Sequence, residues 1–154
     1  MRIALLAVGT RLPAWIGDGF ETYRRRLPAH IRLELDEIPS GARGGRGTAA
    51  RVGEAERILK RVAADDLLIA LDERGREWST AELAQELERW LTEAPRVALV
   101  IGGADGLAPA CRDRANSLWS LSRLTLPHGL VRVLVAEQLY RAWTVLAGHP
   151  YHRA

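Results

Sequence analysis

Gly102-Gly103-Ala104-Asp105-Gly106 stands directly after the apolar run Val97–Ile101. Glycine has no Cβ, so such a loop can bring backbone groups close against a ligand. The same GGxxG equally fits a tight turn before a helix. A second break, Leu124-Thr125-Leu126-Pro127-His128, leads into a long apolar segment. Near the C-terminus, Tyr151, His152 and Arg153 are consecutive residues suited to stacking, proton exchange and phosphate contact, although composition alone also allows an ordinary surface tail. Arg24-Arg25-Arg26, and Arg43, Arg46 and Arg51 around a glycine-rich loop, form clusters that either bind an anionic polymer or are plain solvated charge.

The elements that must position these residues follow from periodicity. Arg2–Val8 reads as a strand, and Pro13 opens a helix with Trp15, Ile16, Phe20, Tyr23 and Leu27 at helical spacing. Ile31, Leu33 and Leu35 alternate with Arg32, Glu34 and Asp36, the two-residue period of a half-buried strand. Residues 39–47 hold four glycines and read as a loop. Thr48 is the expected N-cap of a helix reaching about Ala63. The order then repeats: a strand Leu67–Leu71, a helix capped by Ser79 or Thr80 through Leu91, and a strand Val97–Ile101. A short helix Pro109–Asn116, a strand Leu118–Leu121 and a helix Leu130–Ala147 close the chain. Strands alternating with helices predict one α/β domain over 1–154, a mostly parallel sheet with helices on both faces.

Ligands of open α/β sheets sit beyond the carboxyl ends of the strands, which directs attention to Leu71-Asp72, Gly102-Gly103 and Leu121–Pro127. The first strand ends in Val8-Gly9-Thr10-Arg11 and lacks G-x-G-x-x-G, and no G-x-x-x-x-G-K-[ST] occurs. Dinucleotide binding of the Rossmann kind and NTP hydrolysis are therefore disfavoured, while an adenosine ligand held mainly by backbone groups still fits.

The totals bound the rest. The chain has 154 residues, net charge +3, 47% hydrophobic and 27% charged residues, which is globular composition. Almost all positive charge is arginine, with Lys60 the only lysine. No stretch approaches the roughly 20 apolar residues that span a bilayer, and Cys111 alone makes neither a disulfide nor a cysteine-cluster metal site. A cytoplasmic protein without metal or membrane partner is expected. Between Leu130 and Ala147 only Arg132, Glu137, Gln138, Arg141 and Thr144 are strongly polar. A helix apolar nearly all round must be covered on several sides, so a second subunit is expected against it. Glu137 and Arg141, one turn apart, are expected to pair with each other.

The segments "LIALD", "VIGGADGL", "WSLSRLTLPHGLVRVLVAEQLYRAW" and "HPYHR", with the opening "LLAVGTRLPAWIGDGFETYRRRLP", together resemble the ribosomal RNA large subunit methyltransferase H family of the SPOUT superfamily. The resemblance covers essentially the whole chain. It implies a C-terminal deep trefoil knot, an exception to the rule that chains do not thread their own loops, and S-adenosyl-L-methionine as methyl donor. The donor-binding residues it implies are Leu71, Gly103, Ser122, Arg123, Leu124, Thr125, Leu126 and Pro127. The implied reaction is methylation of N3 of a pseudouridine in a stem-loop of 23S ribosomal RNA, within the ribosome or the large subunit, by a homodimer. Tyr151, His152 and Arg153 are the expected catalytic residues, with Tyr151 stacking on the base, His152 taking its proton and Arg153 holding phosphate or the imide. Arg24, Arg25, Arg26, Arg43 and Arg46 are the expected RNA contacts. A SPOUT enzyme with another RNA target and a non-catalytic ribosome-binding dimer are the alternatives. Two departures from the family pattern stand out: Ala104-Asp105 where Pro-Glu is usual, and a terminal Ala154 in place of an acidic residue.

Overall fold

In the computed structural model, which describes residues 1–40 and 47–153, five parallel strands form one sheet in the order β2-β1-β4-β3-β5. The strands are β1 (Arg2–Val8), β2 (Arg32–Ile38), β3 (Leu67–Glu77), β4 (Arg96–Ile101) and β5 (Ser117–Ser120). The helices are α1 (Ala14–Arg24), α2 (Gly47–Leu59), α3 (Thr80–Glu93), α4 (Pro109–Arg114) and α5 (His128–Ala147). A single 3-10 turn, Pro150–His152, follows α5.

Both faces of the central strands are buried, which is why β1 and β4 read as continuous apolar runs. Ile3, Leu5, Ala7, Val97, Leu99 and Ile101 point to the face covered by α1, α3 and α5, where Phe20, Leu87, Trp90, Val135 and Leu139 complete the larger core. The alternate residues Ala4, Leu6, Val8, Ala98 and Val100 face α2 and α4, where they meet Ala55, Ile58 and Cys111. The expected α/β sheet with helices on both faces is thus present.

Several boundaries differ from the sequence reading for physical reasons. Strand β3 does not stop at Leu71 but continues to Glu77, re-pairing with β5 after an irregularity between Leu71 and Arg76. Gly75 permits this: a Cβ there would lie 2.6 Å from the Leu118 carbonyl carbon. Trp15, placed on the apolar face of α1 by its spacing, is 59% exposed, because Ile16 and Phe20 point to the core instead. Of the two caps expected for α3 it is Ser79 that acts, and Glu82 completes a capping box. Ser79 Oγ accepts from Glu82 N at 3.1 Å and Glu82 Oε2 accepts from Ser79 N at 2.8 Å.

The start of α2 is a correction. The helix begins at Gly47, and the acceptor for its first N–H is not local Thr48 but the carboxylate of Asp105, at 2.6 Å from Gly47 N. An anion at a helix N-terminus satisfies an orphan donor and opposes the helix dipole. Asp105→Ala should therefore lower unfolding free energy by about 1 kcal/mol, measured by urea denaturation, with Asp105→Asn losing less.

Candidate active site

The carboxyl ends of β4 and β5, with the interruption in β3 after Leu71, open into a cleft of about 400 Å³. Its walls are the irregular middle of β3 (Leu71 to Arg74), the glycine loop after β4 (Gly102–Gly106), the loop after β5 (Leu121 to Leu126) and the first residue of α5, His128. Arg51 reaches in from α2 and Arg112 from α4.

Each wall is locally held. Gly106 N donates to the Gly103 carbonyl at 3.0 Å, closing the glycine loop on itself, and Gly106 has φ +78°. A Cβ on Gly102 would lie 2.7 Å from the backbone carbon and oxygen of Gly106. A Cβ on Gly103 would sit 3.1 Å from Val8 Cγ1 and 3.3 Å from the Glu54 carboxylate. On the opposite wall Ser120 Oγ donates to the Ser122 carbonyl at 2.9 Å, and Ser122 Oγ accepts from Leu124 N at 2.9 Å. Asp72 Oδ1 accepts from Arg74 N at 2.8 Å, and its other oxygen lies 3.6 Å from Arg112 Nη1. Trp119 closes the floor and stacks on Trp78 with ring centroids 5.2 Å apart.

The base of α5 is tied to the sheet by Arg132, 2% exposed. Its guanidinium donates to Glu37 Oε2 at 2.7 Å and to the Gly9 carbonyl at 2.8 Å, so it links α5 to the ends of β1 and β2. One turn earlier His128 has its imidazole pushed below the ordinary value, chiefly by burial and then by the Arg132 charge.

Of the residues singled out in the sequence, Leu71, Gly103, Ser122, Leu124, Thr125 and Leu126 line the cleft. Arg123 and Pro127 belong to the same loop without contributing to the wall, and Pro127 is the N-cap residue of α5. Leu124 is 73% exposed at the rim. Asp72 was marked as a strand-end position and Arg51 only as part of an arginine cluster, while His128 and Arg112 were given no site role. His128 had a signal, since it directly follows the Leu124–Pro127 stretch. For Arg51 the cluster pointed to an anionic polymer and not to this cleft, into which only the packing of α2 brings it.

Tyr151, His152 and Arg153 stand elsewhere. Helix α5 begins at the cleft and runs 20 residues, roughly 30 Å at 1.5 Å per residue, before the tail starts. Tyr151 OH donates to Glu137 Oε1 at 3.0 Å, and the same carboxylate oxygen accepts from Arg141 Nε at 2.9 Å. The Tyr151 ring lies 4.6 Å from that of Tyr140, with the Arg141 guanidinium 5.0 Å over it. Burial, then the hydrogen bond to Glu137, pushes the phenol up to about 12. His152 Nδ1 is buried with no partner among the described residues.

The triple arginine shares this far end. Arg24 makes two hydrogen bonds to Glu21, at 2.7 and 2.6 Å, and Arg26 lies over the rings of Tyr23 and Tyr140 at 5.3 and 5.7 Å. Arg25, with its side chain 76% exposed and 3.6 Å from Glu21, is the least committed. Arg43 and Arg46 lie outside the described residues. No group of three His, Cys, Asp or Glu suited to a metal occurs among the described residues, and no described helix is long and apolar enough to cross a membrane.

A parallel α/β sheet with a glycine-walled cleft at its strand ends defines a domain built to hold a compact ligand through backbone groups. Comparison with known proteins narrows this class. A family model described as "Predicted SPOUT methyltransferase" matches residues 1–152. Proteins named Ribosomal RNA large subunit methyltransferase H are similar to the chain over nearly all of both lengths. That of Thioalkalivibrio sulfidiphilus is 52% identical, covering 99% of this chain and 99% of its own. That of Nitrosococcus oceani is 53% identical, covering 100% and 99%, and that of Pseudomonas aeruginosa strain PAO1 is 52% identical, covering 99% and 100%. Among solved structures, a probable methylase family protein from Haemophilus influenzae has the same fold, with TM-score 0.57 and 17% identity over 95% of this chain and 66% of that one. The chain belongs to the SPOUT methyltransferase family, in the group of ribosomal RNA large subunit methyltransferase H.

Proposed function

We propose that the chain is a methyltransferase that moves a methyl group from S-adenosyl-L-methionine to N3 of a pseudouridine in a stem-loop of 23S ribosomal RNA. The observation that carries this reading is the cleft itself, whose backbone-rich walls include six of the eight residues that the family resemblance marks for the donor. The walls fit that donor. Gly102 and Gly103 leave backbone where a side chain would intrude, Leu71, Leu121 and Leu126 offer apolar surface to an adenine, and the largely buried Asp72 is an acceptor in the wall. When bound, the donor supplies an electrophilic methyl carbon on a sulfonium. The chain's own task is to hold the target nitrogen in line with that carbon and to exclude water.

The tail and the cleft lie at opposite ends of α5, so a complete site requires a second copy. In the proposed homodimer one protomer holds the donor while its partner contributes the tail. Glu137, Arg141 and Tyr140 fix Tyr151 in place, which makes Tyr151 the anchor of the tail and leaves His152 and Arg153 to meet the base and its phosphate. The proposal includes a deep trefoil knot in the C-terminal segment. It is supported by the family match and by the sheet order, in which β5 lies outside β3 while α5 returns to pack on α1 and α3. The ribosomal substrate, in the assembled particle or the large subunit, would place the protein in the cytoplasm.

Radiolabelled methyl transfer to ribosomal particles from a strain lacking the modification, followed by mapping of the labelled nucleoside, tests the reading. Label on N3 of one pseudouridine is the expected result. Label on a ribose or another base retains the methyltransferase and rejects the target, and no label rejects the activity.

The exposed arginines have a separate consequence. Contacts to phosphate release counterions, so affinity falls with salt. Arg25→Ala is expected to weaken binding to the particle and to reduce the log–log salt slope by about one, measured by filter binding over a salt series.

A further inference from the structure

The base attacked in such a reaction carries a proton on N3, and that proton needs an acceptor. Two imidazoles compete for the role. His152 belongs to the tail, and its Nδ1 is buried without a partner. His128 lines the donor cleft in the chain that forms it.

We propose that His128 accepts the N3 proton, acting in the protomer that holds the methyl donor; the assignment rests on the methyltransferase reading above. His128 is the first residue of α5, half-buried, and its imidazole has no side-chain hydrogen bond among the described residues, so the ring is uncommitted at the cleft wall. Two close approaches fix its position. A Cβ on Gly9 would lie 3.5 Å from His128 Nε2 and 3.5 Å from Arg132 Nη2, so imidazole and guanidinium flank the same point above the end of β1. A Cβ on the next residue, Gly129, would be 2.7 Å from Ile16 Cδ1, which seats the start of α5 closely on α1.

Burial, and then the nearby Arg132, favour a neutral ring. Arg132 faces it from its own helix, with Glu37 of β2 engaged by that arginine. Across the cleft stand Arg51 of α2, Arg112 of α4, Asp72, Glu73 and Arg74 of β3 and Asp105 of the glycine loop. Burial and Arg132 keep the imidazole below its ordinary value, so it is deprotonated and able to accept at neutral pH.

The step balances. As the proton passes to a ring nitrogen of His128, the N3–H pair stays on nitrogen and forms the new N–C bond. The pair of the broken C–S bond stays on sulfur, turning the sulfonium into a neutral thioether. The imidazolium then loses its proton to water.

Single-turnover methyl transfer by the full-length protein, at saturating donor across a pH series, tests the assignment against His128→Gln and His152→Gln, with donor affinity measured by calorimetry. For His128→Gln we expect a rate lower by roughly 10²-fold at neutral pH and an unchanged donor affinity. The acid limb of the wild type is absent in this variant, and its deficit narrows at alkaline pH, where the imide ionises unaided. A near-wild-type rate, a deficit constant across pH, weakened donor binding, or an acid limb lost in His152→Gln instead would each overturn it. A wild-type protein that labels no N3 rejects the methyltransferase reading itself, a result visible in the nucleoside map before any variant is compared.

Discussion

Gly102→Ala is expected to weaken binding of the proposed methyl donor by roughly 10²-fold, equivalent to about 2.8 kcal/mol. The added methyl would stand 2.7 Å from both the carbon and the oxygen of Gly106 and 3.0 Å from Leu107 N. These are backbone atoms of the loop that walls the cleft, and they have no rotamer through which to give way. The loop must therefore open, and overpacking of this kind typically costs about 1–3 kcal/mol. Two neighbouring glycines are the controls. Gly106→Ala meets nothing within 4 Å, so only its φ of +78° opposes the change, a strain on the order of 1 kcal/mol. Gly103→Ala meets first the Val8 side chain at 3.1 Å, which can shift by a few tenths of an ångström. Titration calorimetry of the three variants should rank Gly102→Ala as the most damaging, with unchanged far-ultraviolet circular dichroism showing that the sheet persists. Equal losses at all three positions would refute the steric account.

Arg132→Ala is expected to cost about 3 kcal/mol of stability, lowering Tm by about 10 °C in a domain of this size. The side chain is 2% exposed, and its removal leaves both a void and a Gly9 carbonyl without its 2.8 Å donor. Glu37, whose side chain is 41% exposed, can be rehydrated, which keeps the loss below that of a fully buried pair. Arg132→Met retains much of the packing of the long stem and should recover part of the loss. In Arg132→Met burial still depresses His128, but the repulsion from the guanidinium is gone. The acid limb of single-turnover methyl transfer should then move to higher pH. Calorimetric unfolding and the pH profile separate these two effects.

Some of this was legible along the chain because the deciding interactions are local. Alternation in Ile31, Leu33 and Leu35, the runs at β1 and β4, and the reciprocal cap between Ser79 and Glu82 each depend on residues within a turn or a strand of one another. Side-chain period and cap chemistry act at that range, so the α/β order and the ends of β4 and β5 at the cleft were readable from composition and spacing, whereas the continuation of β3 past Leu71 was not.

What required tertiary structure was everything decided by where one element lies on another. The N-terminus of α2 is capped by Asp105, 58 residues further on, and α5 is fastened by Arg132 to Gly9, 123 residues away. No local period records such partners. Arg51 and His128 enter the cleft because two helices approach it from opposite faces of the sheet. The motif at the tail was visible in the sequence, yet its place at the far end of α5 follows from the 20-residue helix that separates it from the cleft and packs on α1 and α3. Local chemistry selected the elements and the loop glycines, while long-range packing chose which charged side chains face the ligand and how far the tail stands from it.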